Sequence, residues 1–416
     1  MSRIKVKNFG PIKVGFEEND GFLEIKKITV FIGNQGTGKS SVAKLISTMN
    51  WLEKAFYQGK LTEKEVSKYN RFVNNYCTYH GLKNYFLPET EIEYQGTVYN
   101  FKFNQGKLNV QSHFTSSEEY IVPKIMYVPA ERNFLSTVKI KNLQKLKELP
   151  QSLFTFWEEL ERSQEELSGS LTLPVGNAKF EFDRLNKTSN IVGESYKLML
   201  SEASSGFHSF VPLFLVSHNL AHSIDKERDA SKTELSGEEQ KRLRAEIEKI
   251  LSDDTLSEEV KKTALKILSS KYRNQRFLNI VEEIEQNLFP SSQQQLLYQL
   301  LKFTNYTTEN GLILTTHSPY IINYLTLAIQ GASLLQKINV SDKSEDLKKR
   351  LNEIVPVDSC VAAEDTVVYE LTETGKINKL ATYEGLPTDD NFLNRSLAES
   401  NLLFDGLLEI EEELCL

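Results

Sequence analysis

"GNQGTGKSS", residues 33–41, decides the fold of this 416-residue chain. The stretch fits the pattern G-x-x-x-x-G-K-[ST] and follows the apolar run "FLEIKKITVFIG", which has the character of a strand. After it, Val42, Leu45, Ile46 and Met49 recur at the spacing of one helix face. A glycine-rich loop between a strand and a helix predicts an α/β fold with a phosphate-binding P-loop.

The residue types of this loop suit a nucleoside triphosphate. Glycines let backbone N–H groups close around phosphate oxygens, and the N-terminus of the following helix favours an anion. Lys39 would place its charge on the β- and γ-phosphates, and Ser40 would offer a hydroxyl to Mg²⁺. The residues predicted to bind ATP in this loop are Gly33, Asn34, Gln35, Gly36, Thr37, Gly38, Lys39, Ser40 and Ser41.

A P-loop protein also needs carboxylates at the end of a neighbouring apolar strand. The segment "NIVEEIEQNLFPSSQQQLL", residues 279–297, supplies two of them. Glu282, at the strand end, is predicted to hold Mg²⁺ together with Ser40. Glu283, displaced toward the γ-phosphate, is predicted to be the catalytic carboxylate. The competing interpretation is that "EEIE" only opens a charged helix, but the strand-like run before it disfavours that.

A second strand end lies in "NGLILTTHSPYII", which starts at Asn310. A lone histidine is more often structural than functional. Here His317 follows an apolar strand, in the same way as the acidic pair does. We therefore predict that His317 contacts the γ-phosphate and senses hydrolysis.

The order P-loop, "EExE" and "TTHSP" resembles the ABC/SMC-like ATPases of the RecF and OLD type, above all the stand-alone prokaryotic group found in anti-phage defence loci. "MYVPAERN" (126–133) and the tail "VVYELTETGKINKL" resemble segments of that group. Two departures stand out. Ile284 occupies the position of the family's proline in "EEPE". The "VPAERN" loop has no glutamine to contact magnesium, and whether Glu131 or Arg132 takes that role stays open.

Two stretches compete for the signature loop with which such ATPases contact a nucleotide bound to another subunit. "LSEASSGFHSFVPLF" (200–214) is followed by an apolar helix face suited to burial, whereas "LSGEEQ" (235–240) is followed by a charged, solvated helix. Ser236 and Glu239 instead make a capping box, S-x-x-E. Ser204, Ser205 and Gly206 are therefore predicted to bind ATP from a neighbouring copy.

Composition excludes several classes of protein. The chain is 40% hydrophobic and 25% charged, as globular proteins are, and no apolar run reaches the length of a membrane span. A net charge of −8 argues against general nucleic-acid coating. Three scattered cysteines match no disulfide or zinc pattern, so a reducing cytoplasm is expected. In "HNLAH", asparagine replaces the glutamate that zinc proteases need, so we expect two polar helix positions there.

The predicted fold is α/β, of the ABC-type P-loop NTPase kind, with a mostly parallel core sheet, an antiparallel β lobe and a helical insertion. Residues 226–275 are dense in alternating charge and predict a pair of amphipathic helices. The predicted segments are the first half of the ATPase core with the lobe (1–220), the charged insertion (221–275), the second half of the core (276–340) and a C-terminal α+β region (341–416).

The resemblance implies a Mg²⁺-dependent ATP hydrolase that assembles with itself as a dimer or higher homo-oligomer. It would act as a switch that senses infection, through a trigger such as a phage protein, and controls a separately encoded effector nuclease. The ATPase subunits of the PARIS and, less closely, the Septu defence systems are the nearest examples. A DNA-repair ATPase of the RecF or SMC type is the alternative, and a transporter subunit is a third. Whether nucleic acid binds stays open.

Overall fold

The computed structural model describes residues 2–113, 120–137, 149–229, 237–253, 255, 257–341 and 344–415. The strands in this part of the chain are β1 (Arg3–Phe9), β2 (Gly15–Phe16), β3 (Leu23–Glu24), β4 (Ile28–Gly33), β5 (Phe86–Gln95), β6 (Tyr99–Asn104), β7 (Lys107–Ser112), β8 (Pro123–Val128), β9 (Ser170–Thr172), β10 (Lys179–Asp183), β11 (Thr188–Val192), β12 (Lys197–Met199), β13 (Arg276–Val281), β14 (Gly311–Thr315), β15 (Thr366–Leu371), β16 (Lys376–Lys379), β17 (Thr382–Tyr383) and β18 (Leu386–Pro387).

The α-helices of the same residues are α1 (Lys39–Tyr57), α2 (Glu63–Val66), α3 (Phe134–Thr137), α4 (Gln151–Glu166), α5 (Ser205–Asp229), α6 (Gly237–Leu251), α7 (Glu258–Tyr272), α8 (Pro290–Thr304), α9 (Pro319–Ile338), α10 (Ser344–Ile354) and α11 (Phe392–Cys415). None of them combines the length and the apolarity that crossing a bilayer would demand.

A seven-stranded sheet in the order β2-β16-β15-β4-β14-β13-β8 forms the centre of the fold. The five strands from β15 to β8 are mutually parallel, so their carboxyl ends meet at one edge. Every residue of β4, β14 and β15 is buried, as strands covered on both faces must be. The P-loop follows β4, the acidic pair follows β13, and β14 lies between these two strands.

The core sheet separates two apolar cores, because successive side chains of a strand point to opposite faces. Ile28, Val30 and Ile32 of β4 belong to one core, with side chains of α4, α5, α8 and α9. Phe31 belongs to the other, with side chains of α1 and the lobe. The helical spacing predicted for α1 is confirmed, since Val42, Leu45, Ile46 and Met49 are fully buried.

Two larger antiparallel sheets accompany the core, together with the short antiparallel pair of β17 and β18. The predicted meander forms β5, β6 and β7, which pair in the order β3-β1-β5-β6-β7 with the N-terminal strands. A second sheet, in the order β12-β11-β10-β9, covers residues 170–199. Together with the insertion helices α6 and α7, these sheets confirm the predicted α/β fold with a mostly parallel core, an antiparallel lobe and a helical insertion.

The predicted segment boundaries stay predictions, but two elements differ from them. Helix α5 runs without interruption through the predicted boundary at 220–221 and ends at Asp229. Strand β15, in the predicted C-terminal region, lies in the core sheet, where Leu371 pairs with Gly33. The core sheet therefore includes a strand from beyond residue 340, which pairs in parallel with β4.

Candidate functional site

The P-loop has the backbone conformation that its glycines were expected to allow. Gly33, Gly36 and Gly38 have φ values of 138°, 80° and 99°, a region that other residues rarely enter. At Gly33 a Cβ would also lie 2.2 Å from the carbonyl oxygen of Leu371 on β15. Only glycine fits this position, where the loop leaves the sheet.

Lys39 lies at the centre of the loop and is 4% exposed. Its ammonium donates to the carbonyl oxygens of Gly33, at 2.9 Å, and Asn34, at 2.8 Å, and lies 3.4 Å from Nδ1 of His317. Burial lowers the pKa of Lys39 to about 8, against the opposing effect of Glu285 and Glu283. The cation is thus held by neutral oxygens, and among the described residues no carboxylate is bonded to it directly.

Several side chains fix the loop around Lys39. The Thr37 hydroxyl donates to the Asn34 carbonyl at 2.8 Å, and the Ser41 hydroxyl donates to the Gly38 carbonyl at 2.7 Å. The Asn34 amide donates to Oε1 of Glu373, at 2.6 Å, in the turn between β15 and β16. Asn34, Gln35 and Gly36 form the exposed part of the loop.

Glu282 directly follows β13 and is 2% exposed. Its Oε2 accepts a hydrogen bond from the backbone N–H of Ala130, at 3.2 Å. Its Oε1 accepts no hydrogen bond from the part of the chain that the structure describes, and it lies 3.5 Å from the ammonium of Lys44 on α1, the helix that also carries Ser40. A buried carboxylate oxygen without a hydrogen-bond donor suits a hard cation or its bound water, so the residues present fit Mg²⁺.

Glu283 has a positive φ of 43°, which is unusual for a residue with a side chain. Its N–H donates to the Thr315 hydroxyl, at 3.1 Å, at the end of β14. Its partly exposed carboxylate reaches to within 3.9 Å of Nε2 of His317. The turn therefore brings Glu283, His317 and Lys39 to the same edge of the sheet.

His317 lies between the cation and the carboxylate. Burial, and to a smaller extent the nearby charge of Lys39, lowers the pKa of His317. A neutral imidazole at this position offers one donor and one acceptor nitrogen. Its single N–H can donate either to a phosphate oxygen or to the carboxylate of Glu283, because both are acceptors.

Glu285 is a site residue that sequence reasoning missed. Its Oε1 accepts the backbone N–H of His317, at 2.6 Å, and its Oε2 accepts the hydroxyl of Thr316, at 2.8 Å. Burial raises the pKa of Glu285. The last glutamate of "EEIE" thus ties the acidic turn to the histidine loop, and its two-residue spacing from Glu283 was the available signal.

Arg132 is fully buried, and its position answers one of the open questions about the "VPAERN" loop. Its guanidinium donates to the carbonyls of Glu282 and Glu283, each at 2.7 Å, and of Ser209 on α5, at 3.1 Å. Burial lowers the pKa of Arg132 to about 10. Arg132 therefore joins the acidic turn to α5 and does not substitute for a metal-binding glutamine, while Glu131 is exposed.

The predicted signature residues lie at the start of α5. Ser204 and Ser205 are exposed, and a Cβ on Gly206 would lie 3.3 Å from the carbonyl oxygen of Asn287, in the turn after the acidic residues. The amide of Asn287 also donates to the Ser209 hydroxyl, at 3.0 Å. Within the described residues, no hydrogen bond joins positions 204–206 to the P-loop.

The helix that follows the signature residues is anchored as expected. Phe210, Val211, Phe214 and Leu215 are buried in the core. The competing "LSGEEQ" precedes α6, but its proposed cap at Ser236 lies outside the described residues.

The histidine pair of "HNLAH" stays apart from this site. The rings of His218 and His222 stack with their centroids 4.1 Å apart, and the ring of Tyr306 contacts His222 edge-on. No group of three or more potential metal ligands occurs among the side chains that the structure describes.

Comparisons with known proteins give distant structural likenesses only. No protein family and no curated protein matches the sequence. The chain is similar to an SMC head bound to the C-winged helix domain of ScpA, with 11% identity, 92% of this chain and 98% of that chain covered, and a TM-score of 0.38. It is also similar to the SMC head domain from Thermotoga maritima, with 10% identity, 77% of this chain and 90% of that chain covered, and a TM-score of 0.30. A dimeric bacterial ABC transporter cassette has 10% identity, with 92% of this chain and 100% of that chain covered and a TM-score of 0.27. All of these TM-scores are below 0.5, so these likenesses carry no argument about the function of this chain.

Proposed function

We propose that the chain is an ABC/SMC-like ATPase in which ATP binds between two copies and drives a switch between open and closed assemblies. The observation that carries this proposal is that Lys39, Glu282, Glu283 and His317 lie at one edge of the core sheet. The P-loop that contains Lys39 also has the positive φ values that phosphate binding requires. Hydrolysis between copies would then reopen the pair.

The chain's own residues divide the work. Residues 33–41 would hold the phosphates, with Lys39 supplying the positive charge, and Ser40 and Glu282 would hold Mg²⁺, which would neutralise phosphate charge. Glu283 orients the attacking water and accepts its proton, because it is the partly exposed carboxylate of the pair. His317 contacts the γ-phosphate, and Glu285 and Arg132 fix the positions of His317 and Glu283.

The second half of the site comes from another copy. Ser204 and Ser205 are exposed at a helix N-terminus, where hydroxyls and backbone N–H groups favour an anion. The backbone at Gly206, next to these serines, packs against the carbonyl of Asn287 of the same chain. An interface that uses this surface would bring Ser204, Ser205 and Gly206 to the P-loop of a partner.

Mixing two inactive variants tests the shared site. Lys39→Ala removes the P-loop cation, and Ser204→Glu places a negative charge where a partner's phosphate would lie. Each variant alone should hydrolyse no ATP. In a mixed dimer one site contains the intact half of each chain, so the mixture should recover about a quarter of wild-type activity. If co-purification of differently tagged copies shows mixing and activity stays absent, the site does not cross between copies.

The biological role proposed for this switch is anti-phage defence, in the cytoplasm, with a separately encoded effector nuclease as partner and a phage protein as trigger. The support is the motif order shared with the stand-alone defence ATPases. In cells that carry the gene with its neighbours, Glu283→Gln should abolish protection against phage. ATPase activity that is stimulated by DNA ends, and lost as salt rises, would instead favour the RecF-like repair alternative.

A further inference from the structure

Helix α11 exposes an unusual amount of apolar surface. Its large apolar side chains with their exposed fractions are Leu402 (68%), Leu403 (74%), Phe404 (59%), Leu407 (62%), Leu408 (42%), Ile410 (57%) and Leu414 (82%). Soluble monomers rarely expose contiguous apolar patches larger than roughly a few hundred Å², and larger ones mark interaction sites.

The apolar residues form a stripe along the helix. Leu403, Leu407, Ile410 and Leu414 follow one another at intervals of four, three and four residues, which keeps them on one side of the helix. Phe404 widens the stripe on one flank. This spacing is the one with which a helix packs lengthwise against another helix.

The start of α11 is held firmly on the core sheet. The N–H of Phe392 donates to Oε1 of Glu370, at 2.5 Å, and the guanidinium of Arg395 lies 3.3 Å from Oε2 of the same carboxylate. Leu393 is buried, and Glu370 pairs in the sheet with Ile32 of the P-loop strand. The first turn of α11 is therefore anchored to β15, the neighbour of the P-loop strand β4, and the exposed stripe follows it along the helix.

The charge of the helix indicates what can cover the stripe. After Arg395 the sequence of α11 has no basic residue and six acidic ones, Glu399, Asp405, Glu409, Glu411, Glu412 and Glu413. At about 100° per residue, Glu411 and Glu413 border the stripe on its two sides. Two copies of α11 packed side by side would bring these carboxylates together, and like charges beside such a seam disfavour pairing.

We propose that α11 is the docking helix for a different protein, one that presents an amphipathic helix with an apolar stripe bordered by lysine or arginine. Apolar contact would supply most of the affinity, and the basic borders would select the partner over a second copy. This proposal does not rest on ATP hydrolysis, so it can hold or fail independently of the function proposed above.

Two designed peptides of about 21 residues provide the test, with the same leucine stripe and either lysine or glutamate borders. Fluorescence anisotropy with the full chain should show binding of the lysine peptide at least about tenfold tighter than of the glutamate peptide. The double substitution Leu403→Asp and Leu407→Asp should weaken binding about tenfold or more. Leu185→Asp is the matched control, because Leu185 is 95% exposed in the turn between β10 and β11, distant in sequence from α11. This substitution should leave peptide binding unchanged.

Charge reversal distinguishes recognition by the charged borders of the stripe from nonspecific apolar binding. Glu411→Lys combined with Glu413→Lys should shift the preference toward the glutamate peptide. Equal affinity for both peptides in the wild-type chain would overturn the proposal. It would also be overturned if the chain bound neither peptide but formed assemblies, seen by light scattering, that the Leu403 and Leu407 double variant abolished, because the occupant would then be a second copy.

Discussion

Lys39 is a buried ammonium that neutral carbonyl oxygens hold in place, with its pKa lowered to about 8. Polyphosphate binding would bring negative charge to this group and raise the pKa again. We therefore expect ATP binding at about pH 8.5 to take up a large fraction of one proton per site, since most Lys39 is neutral there before binding. Calorimetry in buffers of different ionisation enthalpy measures this uptake.

The control for this prediction is Lys39→Arg, which keeps a positive charge at every accessible pH and should abolish the uptake. Without nucleotide, the same lowered pKa has a consequence for stability. Between about pH 8 and the ordinary value of 10.5, the unfolded chain binds more protons at Lys39 than the folded one. The contribution of Lys39 to the free energy of unfolding should thus rise with pH across this window.

Arg132 offers a second prediction, because its guanidinium positions the carbonyls of Glu282 and Glu283 without touching the nucleotide site itself. Arg132→Lys cannot fork to several carbonyls and should lower kcat for ATP by about 10- to 100-fold with a smaller effect on KM. Arg132→Met should also lower the free energy of unfolding by about 1–3 kcal/mol, since buried carbonyls lose their donor.

The matched control is Arg276, at the opposite end of β13, which also donates to backbone carbonyls, those of Ile121 and Glu309. Arg276→Lys should cost stability and leave kcat close to wild type. Equal loss of kcat in both variants would show that Arg132 acts on stability alone.

The P-loop depends on the close contact between the neighbouring strands β4 and β15. Gly33→Ala would place a methyl group 2.2 Å from the Leu371 carbonyl, whereas a Cβ at Gly36 would meet no atom within 4 Å. Both positions have a positive φ, so both alanine variants carry a backbone cost of about 1 kcal/mol. Gly33→Ala should lose clearly more stability than Gly36→Ala in chemical denaturation, and equal losses would contradict the close packing.

The elements that could be predicted from sequence are those with a local pattern. The P-loop, the strand ends before Glu282 and His317, and the meander of β5 to β7 each depend on spacing within about 20 residues. The pairing of β15 with β4 joins residues more than 330 positions apart, and no local spacing encodes it.

The site residues follow the same division. Lys39, Glu283 and His317 could be proposed because each follows an apolar strand in a short motif. Arg132 could not be placed, since its partners are backbone carbonyls, and any residue can provide these. The exposure of α11 was equally hidden, because an apolar stripe in a sequence usually predicts burial.

At the scale of the whole molecule, the proposed switch predicts a change of assembly with nucleotide. Glu283→Gln should lower turnover at least about 100-fold while ATP still binds, because only the carboxylate that accepts a proton is altered. The variant should then accumulate the closed assembly, seen as a larger mass by light scattering with ATP and Mg²⁺. Glu309→Gln, beyond the opposite edge of the sheet, should behave as wild type. A Glu283→Gln variant with unchanged turnover, or one that remains monomeric with ATP, would contradict the proposal.

The place of β15 beside β4 also has a consequence for biosynthesis. A ribosome must synthesise more than 330 further residues after β4 before this strand, which carries the P-loop, gains its neighbour β15 on that side. Until then the nascent polypeptide would present an apolar, unpaired strand edge, which is a template for aggregation. Fragments that stop before Thr366 are therefore poor candidates for a minimal soluble enzyme, however complete their motifs are.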